Sequence, residues 1–373
     1  MVARAARATA VAAKPIDEAI RTIPTAWFKP DPRIYWTDML LSAAAGWTAF
    51  VLAVRAGTVW GRGALLIVAA FALYRAVLFI HELTHLALHE LPVFRTAWNV
   101  VVGIPLLLPS FLYEGVHTDH HRQRSYGTPG DPEYVPFGRR PPIVMASYAI
   151  ASVFLPLALA FRFAVLAPLS WVLPPLRRVT IERFSALVIN HQYVRRVPLD
   201  RSARAQEVLA FAFVWTAIGL WAVGIVPAAA FGCWYLITTL AASVNVVRTL
   251  ASHRYDHDLF GQEGRDGQEG FSRPSRPATL TMTEQLLDSC TIRPAGGLLG
   301  TVATTWRELW APVGLRYHAL HHWIPSLPYH NLGRAHRLLL SALGNDTPYV
   351  ATQYPAMAAI LIDLVQRARR YTS

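Results

Sequence analysis

Charge is scarce in this 373-residue chain, and negative charge scarcest: 23 Asp and Glu stand against 35 Lys and Arg, only 16% of residues are charged, and 53% are hydrophobic. That balance excludes an ordinary soluble enzyme, and the length exceeds what one simple bundle uses. Cysteine is nearly absent. The two present, Cys233 and Cys290, exclude a disulfide framework, and Cys233 lies in an apolar run where packing is its natural role. The net charge of +12 would suggest nucleic acid in a soluble protein. Here the arginines lie between long apolar stretches, and nothing interleaves aromatics with bases as a nucleic-acid platform does. Loops facing anionic headgroups account for them better, and no nucleic-acid partner is expected. The N-terminus, with Arg4, Arg7 and Lys14 among alanines, lacks an apolar stretch of signal-peptide length. It reads as a cytosolic arm over residues 1–36.

What is abundant is long apolar sequence. A spanning helix needs about 20 mostly apolar residues. The stretches 38–54, 63–80, 143–161, 207–226 and 229–247 qualify, and the fold class follows as all-α, a polytopic integral membrane protein. Two further apolar stretches are interrupted by proline: 97–112 by Pro105 and Pro109, and 163–176 by Pro168, Pro174 and Pro175. Proline breaks or kinks a helix, so both are expected to be short, re-entrant or interfacial. A membrane domain is thus expected over 37–345, with a surface helix in 346–373. Thr281-x-x-Glu284 has the form of a capping box opening a helix, and Asp256–Ser275 reads as a polar loop.

Three short clusters hold eight of the fourteen histidines: His81-Glu82-Leu-Thr-His85, His117-Thr-Asp119-His120-His121 and His318-Ala-Leu-His321-His322. The last two share the spacing H-x-x-H-H, which chance would supply only about 0.02 times in such a chain. Imidazole is the commonest nitrogen ligand for metals near neutral pH. His81 and His85, four apart, share one face of a helix. Eight imidazoles exceed the four positions of one zinc and suit two ions of higher coordination. Imidazole-rich sites without thiolate fit iron, copper, nickel or zinc. His81-Glu82-x-x-His85 also spells the zinc metalloprotease pattern. An intramembrane zinc protease is therefore a distant alternative, one that leaves both H-x-x-H-H clusters unused.

The set of three clusters, with Arg248-Thr-Leu-Ala-Ser-His253 before the polar loop and Leu315-Arg-Tyr-His318 running into Pro325-x-x-Pro328-Tyr-His330, resembles the membrane fatty acid desaturase and hydroxylase superfamily. The resemblance runs from the first span to about His336. It implies a cytosolic, histidine-rich cap holding two non-haem irons, with O2 as co-substrate and oxidation of an unactivated C–H bond. It also implies one further histidine ligand before the third cluster, which His253 matches, making nine: His81, His85, His117, His120, His121, His253, His318, His321 and His322. His257 and His89 stand as possible extra ligands. Glu82, Asp119 and His330 are expected to orient imidazole N–H groups. For Glu114 and Asp256 that role and an ordinary loop charge are equally plausible. The third cluster begins with His rather than Gln, and no His-Pro-Gly-Gly haem motif is present. The electrons are therefore expected from a separate ferredoxin, rubredoxin or cytochrome. The expected activity is desaturation of a fatty acyl chain, on a lipid or a thioester. The alternative is a hydroxylase or ketolase of a lipid, alkane or carotenoid on the same scaffold.

One site requires the clusters to emerge on one side of the membrane. The stretch 97–112 then cannot cross once, and an even number of crossings must separate His121 from His318. The region 143–176 is accordingly expected to form a second hairpin with a short return limb. Arginines 177, 178, 183, 195, 196, 201 and 204, against Glu182 and Asp200, place their loop in the cytoplasm. The Ala- and Arg-rich composition points to a bacterial inner membrane. Arg75, inside an apparent span, is expected to snorkel or to pair with a carboxylate of the first cluster. Trp36, Trp60, Trp98 and Trp171 read as an interfacial belt.

Overall fold

The computed structural model describes residues 18–87, 89–259, 279–297, 300–344 and 346–372. The first half of the N-terminal arm and most of the polar loop expected at Asp256–Ser275 lie outside them. The described chain is helical apart from one two-stranded sheet, in which Thr291–Ile292 pairs in parallel with Gln353–Tyr354. Five helices are long and apolar enough to cross a membrane: Thr25–Arg55, Val59–His85, Pro142–Val172, Arg201–Ala222 and Ala228–Leu250. The chain divides into two compact units, one of residues 32–118 and 146–247, the other of residues 1–31, 119–145 and 248–373.

The first unit contains the long apolar helices. Pro32–Arg55 buries small residues, Ser42, Ala43, Gly46, Ala49 and Ala53, while Leu40, Leu41, Val51 and Leu52 face outward. A Cβ on Gly46 would come within 2.5 Å of Leu73, so glycine sets the close approach to the helix Val59–Val77. Small residues at a helix interface and large apolar ones outside suit a lipid solvent. Arg75 pairs through two nitrogens with Asp38, at 2.7 and 2.5 Å. This intramembrane arginine thus has a carboxylate of the preceding helix as a partner.

The proline-interrupted stretches fold in a way that period and hydropathy did not foresee. Helix Phe94–Trp98 continues as a π-helical turn, Asn99–Gly103. Pro105 has no N–H for the carbonyl of Val101, and the Trp47 indole donates there instead at 2.8 Å. The Pro105 carbonyl in turn accepts from Trp234 at 2.9 Å. The stretch 163–176 forms no separate return limb. Pro142–Val172 is one helical run with a π-helical turn at Arg162–Leu166. Pro168 is accommodated because Trp215 donates at 3.0 Å to Ala164, the carbonyl Pro168 cannot serve. Trp98 is fully buried and donates to Ala76 at 2.7 Å, so it belongs to the core and not to an interfacial belt. Backbone outside regular helix is tolerated at membrane depth only where protein satisfies it. Here Asn99, Ser110 and Gln206 do so as well, with Asn99 Oδ1 accepting Ser110 N–H at 2.8 Å and Gln206 Oε1 accepting Phe111 N–H at 3.1 Å.

The same unit buries an ion cluster. Glu207 accepts from Arg162 at 2.5 Å, Arg177 at 2.7 Å and the Trp171 indole at 3.0 Å. Ten residues before Arg162 in the same helix, Ser152 Oγ meets Ser243 Oγ at 3.3 Å. Glu207 stands near the start of Arg201–Ala222 and Ser243 near the end of Ala228–Leu250, two helices joined by a five-residue turn. The middle of Pro142–Val172, between Ser152 and Arg162, is therefore fastened to the turn-distal halves of that pair.

The second unit gathers short helices around Ala251, Cys290, Ile292, Ala311 and Ile360. Thr281 caps helix Met282–Asp288 in a complete capping box with Glu284, as its spacing implies. Met357–Thr372 is the expected C-terminal helix, with Ile360, Leu364 and Ala368 on its buried face.

Candidate metal centre

In the first unit the helix Val59–Val77 breaks at Leu78 and resumes as Phe79–His85. Its four-residue spacing brings His81 and His85 together with ring centres 5.1 Å apart. Helix Val116–His121 adds His117, with ring centres 4.5 Å from His81 and 5.0 Å from His85. The bend into that helix uses Gly115, whose φ of +75° suits glycine. Arg195 braces the approach, donating to the carbonyls of Phe111 at 2.6 Å and Ser185 at 2.8 Å. Arg95 ties the two ligand segments together, reaching Glu114 at 2.5 Å and the Leu83 carbonyl at 2.9 Å. Tyr113 stacks on His117 and its hydroxyl lies 2.9 Å from Nδ1. Glu82 hydrogen-bonds Tyr35 at 2.5 Å and has its other oxygen 3.7 Å from His81 Nδ1.

The second unit builds a tighter group. His120, His253, His318 and His322 are all buried, and their ligand nitrogens lie within 4.8 Å of one another. His253 Nε2 is 2.9 Å from His318 Nε2, and His120 Nε2 is 3.1 Å from His322 Nε2. His121 Nε2 and His321 Nε2 form a further pair at 3.1 Å. His253 is held by a backbone bridge to Ser289. His318, His321 and His322 sit on the helix His318–Trp323. The turn before it places Gly314 at φ +69°, with Leu332 2.7 Å from where a Cβ would stand, so a side chain there would be strained and crowded.

Two carboxylates back the quartet. Asp131 Oδ1 is 2.8 Å from His120 Nδ1. Tyr126 hydroxyl lies 2.8 Å from His253 Nδ1 and donates at 2.8 Å to Asp288 Oδ2. Burial, then the neighbouring imidazoles, hold His322 well below its ordinary pKa, and burial with His120 and Arg248 does the same for His253. Burial opposes charge on His120 as well, but Asp131, Glu133 and Asp288 together outweigh it and the net shift is upward. Imidazoles with converging Nε2 atoms suit metal ligation by chemistry. Two nitrogens at adjacent positions of one ion, each at about 2.0–2.1 Å, would lie about 3 Å apart, which is the spacing of the three Nε2 pairs. The residues present therefore fit a metal centre.

Of the other residues singled out from sequence, His257 and His89 stand in neither metal-binding group, and His89 is exposed. Asp119 pairs with Arg122. His330 Nε2 accepts the Asp31 N–H at 3.1 Å and so fastens the N-terminal segment. Sequence reasoning missed Asp131, Asp288, Tyr126 and Tyr113. Asp131 sits in Gly-Thr-Pro-Gly-Asp-Pro, which reads only as a turn, and Asp288 closes a short helix. Only their depth of burial marks them.

A polytopic helical protein with buried imidazole groups has the outline of a metal-dependent membrane enzyme, and the comparisons bear on which kind. The model of the family described as fatty acid desaturase matches residues 57–353. A ceramide hydroxylase of Caulobacter vibrioides (strain NA1000 / CB15N) is 40% identical over 345 residues, covering 91% of this chain and 90% of that protein. The chain belongs to the fatty acid desaturase family and is an integral membrane oxidoreductase. The zinc protease reading of His81–His85 is thereby set aside. No solved structure matches the chain significantly.

Proposed function

We propose that this protein is an O2-dependent membrane hydroxylase that acts on the acyl chain of a ceramide-like sphingolipid. The observation that carries this reading is the 40% identity, along 91% of the chain, to a ceramide hydroxylase. Of the two outcomes open from the sequence, desaturation and oxygen insertion, it favours the second, and the desaturase expectation gives way to it.

The overall reaction is R–H + O2 + two electrons + two protons → R–OH + H2O. Two irons, when bound, would supply the activation of O2. The quartet His120, His253, His318 and His322 would hold one of the ions. The chain's own groups do the rest. Burial keeps the quartet's nitrogens out of water. Asp131 and Asp288 put negative charge behind a cationic centre, which offsets the cost of burying it. Gly314 and the Arg95 and Arg195 braces fix the helices that carry the ligands, so little reorganisation accompanies turnover. The electrons come from a separate ferredoxin, rubredoxin or cytochrome, and the seven-arginine stretch 177–204 supports a cytosolic cap on a bacterial inner membrane.

The test is expression in a host that makes unhydroxylated ceramide, under heavy-isotope oxygen gas, with lipid mass spectrometry. The expected product carries one heavy oxygen on the acyl chain, and purified protein holds about two irons. A product that has lost two hydrogens and gained no oxygen would overturn hydroxylation in favour of desaturation.

A further inference from the structure

His120 and His253 each show Nε2 to the quartet and Nδ1 to a buried oxygen network, and the hydrogen-bond directions in that network can be counted. Asp131 Oδ1 accepts from Glu133 N–H at 2.9 Å, and Oδ2 accepts from Gly127 N–H at 3.0 Å. Both its oxygens already face donors, so the atom opposite, His120 Nδ1 at 2.8 Å, must also donate. On the other side two hydroxyls face His253 Nδ1, and each spends its proton elsewhere. Tyr126 donates to Asp288 Oδ2, and Ser289 Oγ, 3.3 Å from Nδ1, donates to the Gln285 carbonyl at 2.9 Å. Asp288 is filled in turn, because its Oδ1 accepts from Asp256 N–H at 3.2 Å and Tyr134 O–H at 3.3 Å. His253 Nδ1 therefore meets only acceptors and carries the proton. All these side chains are buried, so water offers no competing partner.

We infer that Asp131 and the Tyr126–Asp288 pair are positioning residues that fix the Nδ1–H tautomers of His120 and His253 and so turn both Nε2 lone pairs into the quartet. Without this fixing, an imidazole populates both tautomers, and in one of them Nε2 bears hydrogen and cannot bind an ion. Groups that orient a ligand histidine typically contribute 10–100-fold to metal affinity. The inference rests on the quartet being a metal centre, as proposed above, but not on which reaction that centre runs.

The substitution Asp288→Asn reverses the chain of bonds. Its amide oxygen is held by Asp256 N–H, so its NH2 faces the Tyr126 oxygen. Tyr126 then donates to His253 Nδ1, and the proton moves to Nε2. Tyr126→Phe removes the acceptor while keeping the ring, and Asp131→Ala removes the acceptor that faces His120 Nδ1. The experiment uses the full chain purified in detergent, stripped of metal and titrated with cobalt(II) or iron(II), with histidine nitrogen NMR of the stripped protein reading the tautomers. The expected result is two ions bound by the parent protein. Each variant should bind one ion normally and the other 10–100-fold more weakly, with helix content unchanged. Tyr126→Phe and Asp288→Asn together should be no worse than either alone, because they break one relay. Wild-type affinity at both positions in Asp288→Asn, with the His253 proton still on Nδ1, would overturn the inference, as would a parent protein that binds no metal. If Asp288→Asn does not fold, Tyr126→Phe decides in the same way. A parent that binds two ions but hydroxylates no ceramide sinks the proposed function and leaves the relay standing.

Discussion

His336 shows how burial alone changes a residue's chemistry. It is buried in helix Tyr329–Ala342, with Nδ1 2.6 Å from the Tyr349 hydroxyl and its ring 4.9 Å from that of Tyr317. Burial, then the nearby charges of Arg316 and Arg337, lower its pKa from 6.5 to about 4. Folding thus favours the neutral form. Above pH 6.5 both folded and unfolded chains hold it neutral. Between 6.5 and 4 only the unfolded chain takes the proton, so stability falls as pH falls, by up to about 1.4 kcal/mol per unit. The Tm of the purified protein is expected to drop between pH 7 and 4.5, and to drop less steeply in His336→Gln. Parallel slopes would remove His336 as the cause. At this scale the candidate histidine ligands were legible because clustering at fixed spacing survives in one dimension. The oxygens behind them were not, since Asp131 and Asp288 differ from surface aspartates only in what surrounds them.

Among elements, the proline-bearing segments depart furthest from expectation. A proline read alone predicts a break, and in water it would make one. In this protein an indole from another helix serves a carbonyl that each of Pro105 and Pro168 leaves open, and the chain continues through π-helical turns. Nothing local to residues 97–112 or 163–176 signals that partner. A buried acceptor left unmade costs about 1–3 kcal/mol. Trp47→Phe and Trp215→Phe are each expected to lower stability by that order. Trp60→Phe, at a residue 89% exposed, should change it little. Equal losses in all three, measured by thermal unfolding in one detergent, would show that indole bulk and not the N–H matters.

For the whole molecule, topology turns on counting crossings. His120 and His253 meet in one unit, so an even number of crossings lies between them. Three helices of sufficient length occupy that interval. Arg201–Ala222 and Ala228–Leu250, joined by a short turn, supply two crossings, so Pro142–Val172 is expected to be the helix that does not cross. Residues 142–172 form one helical run in place of the expected second hairpin. Cysteines at Arg140, Arg178 and Ser202 are therefore expected to react with an impermeant thiol reagent from the cytosolic side, and one at Val223 from the other. Labelling of Arg140 and Arg178 from opposite sides would restore a crossing.

By itself the sequence determined that the protein is helical and membrane-embedded, which nine imidazoles are candidate ligands, and that the chemistry is oxidative. Hydropathy and ligand spacing are properties of residue type and order, and they need no folding to be read. The tertiary structure decided which oxygens face the Nδ1 atoms of His120 and His253, and how proline passes within a helix. Each of these depends on a hydrogen-bond partner far away in the chain, and a buried polar group is forced to find such a partner only once folding has excluded water.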